Sequence, residues 1–366
     1  MATKVKGNIL QKEIQEYLGG WRKERKDLLY FLVLGIIAAK SAVVWVVAEK
    51  IKGSKAKAES RYKQITRFLG SDNLDWSGWT GLILKLSGVK GKLTLIVDRT
   101  DWKLGSKHFN LLVFSILTTW GSIPIGVKDL NKRGNSSSTE RKELLQKVGD
   151  QIGWDRIEWV LADREFIGKD WWGFLRKRKV HLCIRIKEST KIGQLKEVVS
   201  AKQIQQIKSL EMNQSIVLPG KQEIYGQKVK TIALKIQNDK GKQEYVIIAT
   251  SKLVTEALNR YRCRWNIENM FKHCKTDGFY LERIHLRKPE KIEALFKVLG
   301  LAYLLTIETG VLAEKIGVVK KLKHGYRVKS IFRKGLQMIH KILDDGEKCL
   351  NKLLIVLFTG SIKYFV

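Results

Sequence analysis

Apolar residues recur along this chain in blocks of different period, and the blocks divide it into five regions. Over residues 1–85 the spacing is helical, which predicts a helical N-terminal region. The apolar run 28–48 within it is split by Lys40 and Ser41 and preceded by the charged stretch 22–27. Two core helix segments are expected there, with no membrane span and no secretory signal. From Lys92 the period changes. Residues 93–97 form a short β-branched run, and strand-like runs follow at 109–119 and 122–130. A loop, 131–136, leads into a helix that opens near Ser138. A strand at 157–162, a short helix at 169–177 and a strand at 181–186 come next. Three strands, helix, strand, helix, strand is an α/β order, and it occupies residues 86–186.

Residues 187–250 break that order with short alternating runs separated by Gly and Asn/Asp turns, the pattern of a β-rich insertion. Region 251–310 returns to helical spacing, over 253–275 and again from Lys291 to about Gly310. Residues 311–366 form a basic C-terminal region.

Charge then narrows the function. A chain of 366 residues with 44% hydrophobic content can bury a substantial core, yet 69 Lys+Arg against 36 Asp+Glu leave a net charge of +33. A polyanionic partner is expected, and nucleic acid fits better than a membrane, because the basic residues are spread along the chain instead of standing beside an apolar anchor. The insertion carries eleven lysines and no arginine, which suits backbone contact more than base reading. Residues 315–334 hold eight basic and no acidic residues, a second candidate DNA surface. In the N-terminal region the stretch 60–69, with Arg61 and Arg67, can lay a basic helix face on DNA or form an ordinary solvated face. Cys183, Cys263, Cys274 and Cys349 make no CxxC pair and no zinc-ligand spacing, so reduced thiols and a cytoplasmic, nucleoid-associated location are expected.

In so basic a protein, carboxylates at the ends of apolar strands stand out. Asp98 follows the run 93–97 and Asp163 follows 157–162. On neighbouring strands of one sheet they would meet, and like charges held close need a cation between them. Either one alone can equally be a turn or cap residue. Asp101 and Glu165 lie close by as competing ligands, which strand alternation or a turn would aim elsewhere. The third element is the segment 261–275. At about 100° per residue, Tyr261, Arg264, Glu268 and Lys275 fall within an arc of roughly 60° on a helix. That face is either an exposed one with i,i+4 pairs such as Arg264 with Glu268, or part of a site.

Taken together, the three segments resemble the DDE transposases of bacterial insertion sequences, in the IS-four branch. The signature of that branch is Tyr, two residues, Arg, three residues, Glu, six residues, Lys, and Tyr261, Arg264, Glu268 and Lys275 match it at every position. The segment Asp98-Arg99-Thr100-Asp101-Trp102 is similar to the family's first-aspartate motif, and Asp163-Arg164-Glu165-Phe166 to its second. Further likeness lies in residues 130–136, 330–336 and 60–69, so the resemblance runs from about residue 55 to the C-terminus.

The resemblance implies an RNase H-like, retroviral integrase-like catalytic core with a β-rich insertion and helical N- and C-terminal parts. It implies Asp98, Asp163 and Glu268 as the catalytic, metal-binding triad. It also implies Tyr261 and Arg264 as phosphate contacts near the transposon end, with Lys275 close to DNA. Trp265 either packs in the core or stacks on a base. Hard oxygen ligands suit two Mg²⁺ ions, about 3.5–4 Å apart, with Mn²⁺ able to substitute. Water would free the 3′ end, and that 3′-hydroxyl would attack target DNA in cut-and-paste transposition. The expected partners are double-stranded DNA, as transposon ends and target, and a second copy in a homodimer assembled on it. One departure stands out: members that excise through a hairpin often hold a flipped base with a tryptophan in the insertion, and residues 187–250 contain none. The alternatives are an RNase H-like nuclease that joins no ends and a non-catalytic DNA-binding protein derived from a transposase.

Overall fold

Local chemistry sets the helix boundaries of the N-terminal part. Helix α1 (Ile9–Tyr17) starts at a capping box, in which the Asn8 side chain accepts from the Gln11 N–H and the Gln11 side chain accepts from the Asn8 N–H. Helix α2 (Lys23–Ala39) stops where Lys40 turns left-handed, at φ 50°, and α3 (Val44–Lys50) leaves at 98° to it. The apolar run 28–48 is therefore two helices, split where Lys40 and Ser41 interrupt it. Helices α4 (Ala58–Leu69) and α5 (Trp79–Ser87) complete this part. The computed structural model describes residues 8–51, 56–72, 74–194, 197–238, 240–252, 255–319, 322–323 and 327–360.

The central sheet begins with β1 (Leu93–Leu104), β2 (Lys107–Leu117) and β3 (Ser122–Asp129). Helix α6 (Ser138–Ile152), opened by a Ser137 and Glu140 capping box, leads to β4 (Ile157–Ala162), α7 (Lys169–Lys177) and β5 (His181–Ile186). The expected order of strands and helices is present, but β1 does not end at Val97. Antiparallel pairing with β2, from Leu95 opposite Ile116 to Leu104 opposite Lys107, carries it through the polar residues that break its apolar run. Strands β1, β4 and β5 are mutually parallel.

The insertion supplies β6 (Lys191–Gln194), β7 (Glu197–Ser200), α8 (Gln205–Lys208), β8 (Ser215–Val217), β9 (Gln222–Ile224), β10 (Gln227–Gln237) and β11 (Gln243–Thr250). It is β-rich, as its alternating runs imply. Its last strand returns antiparallel to β5, from Ile247 opposite Ile186 to Thr250 opposite Cys183, so the insertion extends the sheet instead of standing apart. The result is one mostly antiparallel sheet of order β3-β2-β1-β4-β5-β11-β10-β9-β6-β7, with β8 on β10.

Past the sheet lie α9 (Ala257–Arg262), α10 (Trp265–Lys275), α11 (Pro289–Lys315), α12 (Ile331–Asp345) and α13 (Glu347–Thr359). The single helix expected over 253–275 is broken at Cys263 and Arg264, and residues 253–254 lie outside the described ones. Tight i to i−3 bonds make the break: the Arg264 N–H donates to the Tyr261 carbonyl at 2.9 Å, and the Asn266 N–H to that of Cys263 at 3.1 Å. The Asn266 amide also donates to the Cys263 carbonyl, at 2.9 Å. Helix α11 runs past Gly310 to Lys315. It is long and apolar enough to cross a membrane, but 83% of its apolar window is buried within the protein, where it packs on β3, α2 and α12. Helix α12 crosses it backbone to backbone. A Cβ on Gly335 would stand 1.9 Å from the Thr306 carbonyl oxygen, and one on Gly310 2.1 Å from that of Ile331. The motif at 330–336 thus has a packing reason. In the basic stretch 315–334, residues 320–321 and 324–326 lie outside the described ones.

Candidate active site

The last register pair of the parallel β1 and β4 strands is Val97 opposite Ala162, both fully buried. The next residue on each side is a carboxylate, Asp98 on β1 and Asp163 just past β4. Sheet register thus brings these two segments side by side. The Asp98 Oδ1 accepts from the Arg99 N–H at 2.8 Å.

Side chains bring the third carboxylate. Arg264, only 7% exposed, donates from Nη1 to Asp98 Oδ2 at 3.1 Å and pairs through Nη2 with Glu268 Oε1 at 2.7 Å. Its neighbour one turn back, Tyr261, donates its hydroxyl proton to Asp163 Oδ1 at 3.2 Å. Tyr261 therefore meets Asp163, Arg264 meets Asp98, and Glu268 is tied to Asp98 through Arg264, so the face they form is not an exposed one. An open cleft of about 470 Å³ results, lined by Asp98, Asp163, Arg264, Glu268, Lys272 and Lys275 among others. Lys275 sits at its margin, donating to the Asp101 carbonyl at 2.8 Å and pairing with Glu282 at 3.0 Å.

Other expected residues lie elsewhere. Trp265 is 59% exposed, so it does not pack in the core; its ring is 5.9 Å from the Arg264 guanidinium. Arg61 and Arg67 are on α4, which packs on α2, α3 and α11, and neither lines the cleft. Arg67 is exposed and Arg61 half-buried. Of the competing acids, Glu165 is taken up in a two-bond pair with Arg99, and the exposed Asp101 side chain faces His108 at 3.6 Å. The Arg99 pairing was not foreseen. Its signal was available: Asp98-Arg99 and Asp163-x-Glu165 put opposite charges one and two residues beyond adjacent carboxylates.

Burial pushes the Asp98 carboxyl up to about 7; Arg264 opposes the shift, and Glu165 and Glu268 add to it. Burial works to lower the Arg264 pKa, but Tyr261, Asp98, Asp163 and Glu268 together hold it above the usual range. The Tyr261 hydroxyl is raised by burial first, and Asp163 adds to that. A desolvated carboxylate beside two further acidic groups leaves room for more positive charge than one guanidinium brings. Among the described residues no three His, Cys, Asp or Glu side chains close into a ready metal cage. Instead the Arg264 guanidinium occupies the place of a cation between Asp98 and Glu268. The donor set of Asp98, Asp163 and Glu268, all hard oxygens, fits Mg²⁺ or Mn²⁺, with Arg264 as the group to be displaced.

No curated protein matches the chain. A family model, the transposase DDE domain, matches residues 90–305, more than half of the 366. That span opens just before β1 and closes within α11, taking in both aspartates, the insertion and Glu268. Because the match covers more than half of its length, the chain belongs to the DDE-domain transposases.

Proposed function

We propose that this transposase moves an insertion sequence by cut-and-paste, hydrolysing the phosphodiester at each transposon end and joining the freed 3′-hydroxyl to target DNA. The observation that carries the reading is the meeting of Asp98, Asp163 and Glu268 in one cleft of a chain with a net charge of +33. The sheet order β3-β2-β1-β4-β5, with β1, β4 and β5 parallel and β2 and β3 antiparallel, supports an RNase H-like core. The Tyr261, Arg264, Glu268 and Lys275 spacing supports the IS-four branch.

Asp98, Asp163 and Glu268 would hold the divalent ions, Mg²⁺ with Mn²⁺ as substitute. Bound there, such ions would supply charge neutralisation at the scissile phosphate and activation of the attacking water or 3′-hydroxyl. Arg264 gives up its carboxylate partners and, with Tyr261, takes phosphate oxygens of the strand being cut. Neither performs proton chemistry near neutral pH, because both have pKa values held above their usual range. Lys275 and Trp265 meet the DNA at the margin of the cleft, and Arg61 and Arg67 bind backbone further along. Two ends must be handled together, so the active form is a homodimer assembled on double-stranded DNA in the cytoplasm, at the nucleoid and away from any membrane.

The test is purified protein with linear duplex carrying the sequences that flank its gene, in Mg²⁺ or chelator, compared with Glu268→Gln. Cutting at those ends that needs both metal and Glu268 is expected. Binding without cutting in any divalent ion would reduce the protein to a DNA-binding one.

A further inference from the structure

Hydrogen bonding between β1 and the chain beyond β4 passes from backbone to side chains at one level of the sheet. The parallel ladder ends at Val97 opposite Ala162, below both aspartates. Directly above it, Arg99 and Glu165 close a fork: Arg99 Nε donates to Glu165 Oε1 at 2.6 Å and Nη2 to Oε2 at 2.8 Å. Two parallel bonds of this kind fix both distance and orientation, which a lysine in the same place could not do. The rest of the guanidinium is also committed. Its Nη1 donates to Asn110 Oδ1 and to the Gly134 carbonyl, each at 2.8 Å, and Nη2 to Asn135 Oδ1 at 3.1 Å. Arg99 thus joins β1, β2, the loop 131–136 and the segment after β4.

A second arginine ties the same loop and segment from α6. Arg141, 3% exposed, donates to the Ser136 hydroxyl at 2.8 Å and to the carbonyls of Glu165 and Ile167 at 2.9 and 3.2 Å. Both Glu165 oxygens accept from Arg99, which weakens Glu165 as a competitor for a cation. Beyond the last ladder pair, it is this ion pair that bridges the two segments carrying Asp98 and Asp163.

Resting on the cleavage reading above, we propose that Arg99 and Glu165 are a positioning pair that sets the separation of the Asp98 and Asp163 carboxylates for divalent-ion binding and phosphodiester cleavage. Arg99 borders the cleft, but its guanidinium donors are taken by Glu165, Asn110, Gly134 and Asn135, so the pair acts through the aspartates. Groups that orient metal ligands in this way change metal affinity or activity by about 10–100-fold when altered.

The experiment compares wild type with Glu165→Gln, Arg99→Lys and the double variant in three measurements. These are Mn²⁺ binding to the DNA-free protein by calorimetry, affinity for the end duplex in chelator, and cleavage rate in Mg²⁺ well below each melting temperature. Both single variants are expected to bind Mn²⁺ about tenfold more weakly and cut about 10–100-fold more slowly, with duplex affinity within about twofold of wild type. The double variant should be no worse than the more severe single one, since both remove the same fork. Wild-type Mn²⁺ affinity and cleavage in either folded single variant would overturn the proposal, as would losses that multiply in the double variant. If wild type binds the duplex but cuts it in no divalent ion, the cleavage reading fails, and the calorimetry alone then decides whether the pair positions the aspartates.

Discussion

The two aspartates and the glutamate reach one cleft by different physical routes. Asp98 and Asp163 follow directly from a parallel register pair whose members are fully buried, so moving them means moving the sheet. Glu268 stands on α10, begun afresh after a break at Cys263 and Arg264, and its tie to the aspartates is one guanidinium shared with Asp98. A backbone ladder does not yield to a ligand, whereas an ion pair exchanges partners when a better one arrives. The site thus has two fixed walls and one whose closing contact is exchangeable, which suits binding that has to admit DNA and release it.

Removing a fixed wall should have the largest effect. Asp98→Asn or Asp163→Asn removes one of the carboxylates proposed to hold the ions, at a position the sheet will not let another residue fill. Transition-state stabilisation of several kcal/mol goes with it, on the order of a thousandfold in cleavage rate, with end-duplex binding kept. Single-turnover cleavage measures this, and a loss under about tenfold would show that the aspartates are not the ligands.

Loosening the exchangeable wall should cost less. Arg264→Lys keeps the positive charge but cannot reach Asp98 and Glu268 at once, so Glu268 is untethered while the aspartates stay in place. Cleavage is expected to fall about 10–100-fold, with Mn²⁺ binding to the DNA-free protein no weaker, because the displaced competitor is now the poorer one. A loss as large as that of Asp98→Asn would break the distinction between the two walls.

The same contrast governs what could be read in advance. Both aspartates were legible because short apolar runs, 93–97 and 157–162, mark where the ladder's buried part stops. The continuation of β1 to Leu104 was not, since its polar residues break the apolar run and are held in the strand by hairpin pairing with β2, which follows directly. The helix break at 263–264 was hidden for the opposite reason: both residues keep right-handed helical dihedrals, so the periodicity runs through it. The face predicted for Tyr261, Arg264 and Glu268 therefore survived the break, while Lys275 turned out to bond Asp101 and Glu282 at the margin. Arg99, Arg141 and Glu165 were invisible as a network, because its geometry depends on the loop 131–136 lying over β1.

The support behind the exchangeable wall gives a smaller effect. Phe332 of α12 stacks on His273 of α10, ring centroids 4.2 Å apart, and α12 reaches that place only because Gly335 lets it touch α11. Gly335→Ala puts a methyl against the Thr306 carbonyl and forces the helices apart. Overpacking of this kind costs about 1–3 kcal/mol, read as a lower urea midpoint. Cleavage should fall only a few-fold, as α10 shifts and the sheet does not; an unchanged midpoint would mean that α12 does not rest on that contact.

The smallest effect on activity, and the control for all the others, should come from α11, which packs on β3 and contributes no residue to the lining of the cleft. Glu308 lies in α11, and burial raises its carboxyl to about 7 against a pull downward from Lys315. A carboxyl raised in the folded state binds its proton more tightly there than in the unfolded chain. Its contribution is therefore most favourable below the unfolded value, near 4.5, and is lost as pH rises to about 7. Above that the folded protein carries a buried charge at a standing cost on the order of 1–3 kcal/mol. Glu308→Gln keeps the shape and removes the charge. Relative to wild type it should gain stability progressively between pH 4.5 and 7 and keep that gain at higher pH, as unfolding midpoints across the range would record. Since α11 carries no ligand, cleavage rate should stay within about twofold. A midpoint difference that did not grow with pH would mean that the Glu308 carboxyl is solvated. A stabilised variant that cut much more slowly would mean that α11 has to yield during the reaction, and that the fixed walls are less fixed than the ladder implies.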